Sequence, residues 1–442
     1  IFIAVIILFN SKSFALSIIR DGEIENFLQK LANPLIKEAG LESKNIKIYI
    51  VNNNIINAFV SGGQNIFIHS GLITKYNDPN ILRGVLAHEI GHIAAGHLAR
   101  GSEEMKKAQN IMMLTYLAGI LSAATSGSDA GYAMLMTGNQ LAERIFLKYN
   151  RSQEEAADIL ALQYLKKTNH NPLGLLTILK LFKSQMSGQD IIDEYALTHP
   201  ISQKRINFIK ANLSQFSNAS YNKILTKDHY QMQRIISKLK GFLDDIKISL
   251  KETKDKKDFY NLYQRSIALF RSGQIQKSLQ IIDQLLIENP KDAYLLELKG
   301  QILYESGDIK NAIIFYKKSL NLNKNNFLAK MVFAKAILDL NSEDPQLINI
   351  AIKNLKLVLF AEKENLLGYK LLSKSYNNIG DIARENLTLA QYYLLQKDTE
   401  KAKEYAKKAK TLFNEDDQNE LLKIRDIIKL SNIDKSKTKS SK

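Results

Sequence analysis

Residues 82–98 read LRGVLAHEIGHIAAGHL, an apolar stretch that carries His88, Glu89 and His92 as an HExxH motif. On a helix, residues four apart share a face, so His88 and His92 can grip one metal ion. Glu89 falls beside them, where it can accept a proton from a metal-bound water. Zn2+ in such a site lowers the pKa of that water to about 7. The helical pattern runs from Pro79 to about Arg100. Asp78 is placed to cap it, and Pro79 suits its first position, where a missing N–H costs nothing.

A third ligand is required. His97 stands five residues past His92, outside the HExxHxxGxxH spacing, and is read as a non-ligand. The better candidate lies in SQEEAAD, 152–158. Ser152 and Glu155 fit a capping box, which leaves Glu154 free to bind the ion. Asp158 shares the face of Glu154 and can fix a ligand histidine from behind. An acidic first turn is also an ordinary response to the helix dipole, and that alternative stays open.

Composition narrows the rest. Absence of cysteine excludes a disulfide scaffold, a Cys-ligated zinc finger and a thiol nucleophile, so a metal must sit on His, Asp and Glu, with seven histidines to draw on. At 442 residues the chain holds two or three domains. The net charge of +16 is spread as Lys along helices, interleaved with acids, without an Arg-rich arm, which argues against nucleic acid. It reads as a solvated Lys-rich surface, or as attraction to an acidic partner or peripheral contact with an anionic membrane.

Residues 1–9, IFIAVIILF, followed by Ser13-Phe14-Ala15, read as the end of a signal peptide over 1–15 whose start is missing. Nine apolar residues fall short of the ~20 that span a bilayer, and an uncleaved anchor is the alternative. Helical spacing continues over 18–38, and IKIYIV (46–51) and QNIFIH (64–69) read as strands. Further helices are expected over 152–167 and 172–185. This makes 16–214 an α+β domain, mostly helical with a small sheet. A polar, Lys-rich helical connector spans 215–257.

From 258 to 430 the pattern changes to helix pairs. FRSGQIQKSLQIIDQLLIENP (270–290) lies over YESGDIKNAIIFYKKSLNLNK (304–324) at a 34-residue period. With Gly300, Ala312 and Tyr316 at small or aromatic positions, this resembles the tetratricopeptide repeat, which stacks into an all-α solenoid with a concave face. Two units are clear, an insertion near 341–347 disturbs the third, and later units are weaker. The last residues, 431–442, read as a disordered tail.

HEIGH, then YNRSQEEAAD (149–158) and THPISQKRI (198–206), resemble family 48 of the zinc metallopeptidases. This is the gluzincin family of the CAAX prenyl proteases and HtpX-like enzymes. IRDGEIENFLQKLANPL (19–35) and NAFVSGGQNIFIHSGLI (57–73) match upstream. An exported member followed by repeats is similar to the BepA type, periplasmic proteases of outer-membrane protein assembly. The resemblance implies a zincin-type fold, one Zn2+ held by His88, His92 and Glu154, and Glu89 as general base. His199 matches a histidine that can approach the zinc, holding the site latent or supporting the transition state, and Arg205 matches the family's arginine downstream. A capped turn before Pro200 is the plain alternative for His199.

The expected function is endoproteolysis of misfolded or misassembled outer-membrane proteins in the periplasm of a Gram-negative bacterium. The repeats would recruit clients or the assembly machinery. The alternative is a chaperone-like scaffold in which proteolysis is secondary. Gln64, Asn65, Ile66 and Phe67 are expected in an exposed edge strand beside the metal, pairing with an extended substrate. The uncharged stretch 111–127, IMMLTYLAGILSAATSG, reads as a buried helix, a lid, or a surface that touches membrane or client.

Overall fold

Asp21 caps the first helix, its carboxylate accepting from the backbone N–H of Glu23 and Ile24, both at 3.0 Å. That helix, α1, spans Gly22–Glu38 and buries Ile24, Phe27, Leu28, Leu31 and Leu35 on one face. The helix expected over 18–38 therefore starts later. Ile18–Ile19 is a short strand, β1, because β-branched residues ahead of a cap extend more readily than they coil. The computed structural model describes residues 17–97, 150–186, 199–216 and 221–439. The signal-peptide reading and the 111–127 stretch fall outside these. The chain forms two compact units, Ile1–Lys240 and Gly241–Lys442.

In the first unit, β2 (Lys47–Val51), β3 (Ala58–Ser61) and β4 (Asn65–His69) complete a four-stranded sheet with the order β1-β2-β4-β3. β4 runs parallel to β2 and antiparallel to β3, pairing Tyr49 with Phe67 and Phe59 with Phe67 on its two sides. β3 was not expected. Its four residues are too few to display alternation, and the Asn-rich run before them reads as loop. After α2 (Ser70–Lys75) comes α3, Pro79–Ala94, with Asp78 accepting from Asn80 N at 2.9 Å as its cap. α3 is buried from Pro79 through Gly91. It stops short of Arg100 because Gly96 turns the chain with φ 66°.

The next described helix, α4, covers 150–167. Residues 150 and 151 are already helical, so Ser152 lies inside the helix and the expected capping box is not its start. α5 (Leu173–Met186) packs on α3 through two glycines. A Cβ at Gly84 would meet Leu175 N at 2.5 Å, and one at Gly174 would meet Asn80 O at 2.0 Å. α6 spans Gln203–Asn212.

The stretch read as a connector is divided between the units. α7 (Tyr221–Leu243) carries Asp228, Arg234 and Lys238 into the first unit. Asp228 pairs with Arg83 at 2.5 Å and Lys30 at 2.9 Å, Arg234 pairs with Glu23, and Lys238 pairs with Asp21 at 2.6 Å. These polar residues looked solvated in sequence because their partners lie some 140 to 220 positions away. α8 (Ile246–Glu252) belongs to the second unit, where Gln264 donates to Ser249 Oγ at 3.0 Å.

The second unit continues as five helix pairs. They are α9 (Phe259–Arg271) with α10 (Ile275–Glu288), α11 (Ala293–Glu305) with α12 (Ile309–Leu322), and α13 (Phe327–Asp339) with α14 (Pro345–Ala361). α15 (Leu366–Asn378) with α16 (Ile382–Leu395) and α17 (Thr399–Lys410) with α18 (Gln418–Lys439) complete them. The caps Asp258, Asp292 and Asn326 repeat the 34-residue period. Gly273, Gly307 and Gly380 turn between paired helices at φ 77°, 91° and 73°. Gly300 lies against Tyr316, whose ring would stand 2.9 Å from an added Cβ. The insertion in the third pair is taken up by the loop 340–344 and by α14, at 17 residues against 14 in α12. The tail expected to be disordered from 431 is helical to Lys439, continuing α18. Among the described residues, no helix is long and apolar enough to cross a membrane.

Candidate metal centre

α3 and α4 can cross closely because residue 91 has no side chain. A Cβ there would lie 2.8 Å from the Ala157 carbonyl oxygen. That crossing delivers Glu154 and Asp158 to the histidines of the motif. The turn before α6 supplies His199, and α6 itself supplies Arg205, its start fixed by Ser202 Oγ accepting from Arg205 N at 3.2 Å. His88, His92, Glu154 and His199 each offer one ligand atom, all within 4.8 Å of one another.

His88 Nε2 stands 3.1 Å from His92 Nε2, 3.3 Å from His199 Nδ1 and 3.3 Å from Glu154 Oε2. Glu154 Oε1 lies 3.2 Å from both His92 Nε2 and His199 Nδ1. Asp158 Oδ1 lies 3.0 Å from His88 Nδ1, and the Ala58 carbonyl oxygen lies 3.2 Å from His199 Nε2. Both oxygens only accept, so they favour protons on those two ring atoms. The opposite ring nitrogens then present lone pairs to one another and to Glu154. Acceptors converge on acceptors, an arrangement that asks for a cation. Bonds of 2.0–2.1 Å in a tetrahedral shell place neighbouring ligand atoms about 3.3 Å apart. The donor set therefore fits a small divalent ion of the zinc type in both chemistry and spacing.

Electrostatics follow the same geometry. Burial pulls His88 down, but the Glu154 and Asp158 carboxylates outweigh it and raise its pKa to about 10, so the site draws positive charge to His88, either as a second ring proton or as an ion in that proton's place. Burial holds His92 down at about 3. Burial alone would raise Glu154, yet the His199 and His88 charges bring it well below the usual carboxylate range. Asp158 is likewise lowered against its burial, first by the Arg205 charge. Arg205 contacts Glu154 Oε2 at 2.6 Å and Asp158 through Nε at 2.7 Å and Nη2 at 3.0 Å. One guanidinium thus ties together the two carboxylates. Glu89 is fully buried, neither oxygen accepts a hydrogen bond, and burial pushes its pKa up. His199 Nε2 stands 3.4 Å from its Oε1.

The structure thus brings together His88, Glu89, His92, Glu154, Asp158, His199 and Arg205. His97 sits past the end of α3 with its Nδ1 2.9 Å from His92 Nδ1, behind the ring and outside the ligand group. The expected substrate strand needs correction. Asn65, Ile66 and Phe67 lie in β4, between β2 and β3, and Gln64 lies in the turn before it. β4 has neighbours on both sides, so no edge is free there. The sheet's edge strands are β1 and β3, and the one beside the site is β3, whose Ala58 contacts His199. Hydrophobic alternation marks strands but not their order, and the better alternating segment is the interior one.

Residues 20–213 match the model of Peptidase family M48, and 293–326 and 383–416 match a tetratricopeptide repeat model. A beta-barrel assembly-enhancing protease of Yersinia pestis is 24% identical over 70% of this chain and 64% of its own length. One of Escherichia coli K12 is 25% identical over 86% of this chain and 77% of its own. The metalloprotease YcaL of Escherichia coli K12 is 30% identical over 42% of this chain and 69% of its own. The chain thus spans just under two thirds of the length of the Yersinia relative.

Proposed function

The chain belongs to peptidase family M48 and carries a metalloendopeptidase domain, and we propose that it is a zinc-dependent endopeptidase of the bacterial cell envelope. It cleaves misfolded or misassembled outer-membrane proteins, with the repeats recruiting clients or assembly machinery. One observation carries the enzymatic part: four converging ligand groups beside a buried glutamate that accepts no hydrogen bond. The beta-barrel assembly-enhancing proteases among the relatives support the client class.

His88, His92 and Glu154 would hold the ion. Bound zinc supplies a Lewis acid that lowers the pKa of water and polarises the scissile carbonyl. Glu89 takes the proton of the attacking water and returns it to the leaving amine. A buried carboxylate with no hydrogen bond, its pKa pushed up by burial, is a better proton acceptor than an exposed one. Asp158 fixes the His88 ring, and Arg205 fixes Glu154 and Asp158 together. An extended substrate strand adds to the edge of β3, where backbone pairing tolerates many sequences and favours unfolded clients.

His199 is the fourth member of the ligand group. A catalytic zinc keeps one position open, so if His199 were to take that position it would have to withdraw before substrate entered, and the arrangement would be a latent one. His199→Ala is expected to raise cleavage of an unfolded protein about tenfold, with metal content unchanged, on the reading that one state now dominates. Loss of cleavage at full metal content would instead assign His199 to the transition state.

The direct test of the function is incubation with a urea-unfolded β-barrel protein in the presence of zinc. New internal termini are expected from the unfolded substrate, and none from the same barrel folded in detergent. An intact unfolded substrate after prolonged incubation would contradict the proposal.

A further inference from the structure

Below the first helix pair of the repeat unit, α8, α9, α10 and the turn after α8 line a groove of about 840 Å³. Its charge is one-sided. Lys254, Lys256, Lys257, Arg265 and Lys277 line it against the single carboxylate of Asp255. Some lysines elsewhere in this unit have acids at hand: Lys335 pairs with Asp339 at 2.9 Å, Lys401 with Asp398 at 3.1 Å and Lys408 with Glu404 at 2.7 Å. Lys254, Lys256, Lys257 and Arg265 have no such partner among the described residues. Arg265 is half-buried. A half-buried guanidinium without a carboxylate keeps its planar fork of donors available, and carboxylates match that fork.

The floor has a second character. Leu262 and Leu269 of α9, with Leu250 and Ile281, give it apolar surface. Gln280 and Gln284 line the α10 side with amides that can pair with main chain. A cationic rim, an apolar floor and amides along one wall match an extended peptide that alternates acidic and apolar side chains. The volume lies within the roughly 300–1,000 Å³ of pockets that enclose a compact ligand, enough for a short segment. A flat anionic membrane would reach the rim but not the floor.

We infer that this groove binds an acidic, partly apolar peptide segment of a client or partner protein. The inference rests on the recruiting role proposed above for the repeats and gives it a chemistry. It concerns binding alone and needs no proteolysis.

The test uses the full chain and a fluorescein-labelled octapeptide alternating Asp or Glu with Leu or Phe, read by anisotropy at about 0.1 M salt, where screening is moderate. The paired variant Arg265→Gln with Lys256→Gln is expected to weaken binding about tenfold, the scale of one lost charge-assisted contact. The same loss is expected when Asp and Glu of the peptide become Asn and Gln. Lys401→Gln with Lys408→Gln, on α17, should leave the affinity unchanged, which separates the groove from general positive charge. Unaltered circular dichroism of each variant controls for folding.

Equal binding by the groove variant and the parent chain would overturn the inference. So would peptide-indifferent capture of phosphatidylglycerol vesicles through these same cations. A third arm measures binding of an unfolded β-barrel protein. If the barrel binds but the octapeptide neither binds nor competes, the groove assignment falls and the recruiting role stands. If neither ligand binds, both fall.

Discussion

Glu154→Gln is expected to strip the metal from the protein while leaving it folded. The substitution keeps the size of the side chain and an oxygen for Arg205 Nη1, now 2.6 Å from Glu154 Oε2. It removes the anionic oxygens that face His88, His92 and His199 at 3.2–3.3 Å. Loss of a partner that merely orients a ligand costs about 10–100-fold in metal affinity, so loss of a charged ligand should cost about 100-fold or more. Zinc per chain after gel filtration should fall from about one to a small fraction of that, since structural and catalytic sites of this type hold one ion. Competition with a chromophoric chelator measures the affinity. Full metal occupancy in the variant would remove Glu154 from the ligand set.

The second large effect separates the base from the ligands. Glu89 is fully buried, accepts no hydrogen bond, and lies beside the donor group rather than in it. Glu89→Gln preserves volume and removes only the capacity to take up a proton. Cleavage of an unfolded protein should drop by about 10²–10⁴-fold, the usual share of general acid–base catalysis. The loss should appear in kcat with KM little changed, because the group acts on the reacting proton and not on binding. Losing a buried carboxylate that accepts no hydrogen bond relieves a desolvation cost, so Glu89→Gln should unfold at the same or a slightly higher temperature. A destabilised variant would mean that Glu89 holds the fold together.

Much of this centre was readable along the chain. His88 and His92 share a helix face at a spacing fixed by helix geometry, and Glu154 and Asp158 repeat that spacing on α4. Local periodicity was enough there. The motif family supplied His199 and Arg205, which spacing alone does not connect to the histidines. What was not legible depends on contacts between distant segments. The free edge passed from β4 to β3 because strand order is a tertiary property, and three or four apolar residues after an Asn run give little warning of a strand. Ser152 looked like a cap because the rule reads only a few residues, while the helix had begun upstream. Asp228, Arg234 and Lys238 looked solvated because charged residues usually are, and only folding showed their buried partners Arg83 in α3 and Glu23 in α1. In the repeats, the 34-residue period of FRSGQ over YESGD announced the helix pairs, and the departures came where an insertion lengthens the third pair and where α18 runs on past 431.

The central claim is that a zinc ion held by His88, His92 and Glu154 works with Glu89 to hydrolyse peptide bonds. It is tested most directly by measuring zinc content and cleavage of an unfolded β-barrel protein side by side, in the parent chain and in Glu89→Gln. The account predicts about one zinc per chain in both, the stoichiometry of a single mononuclear site, with cleavage in the parent alone. Cleavage at the parental rate by zinc-loaded Glu89→Gln would contradict it.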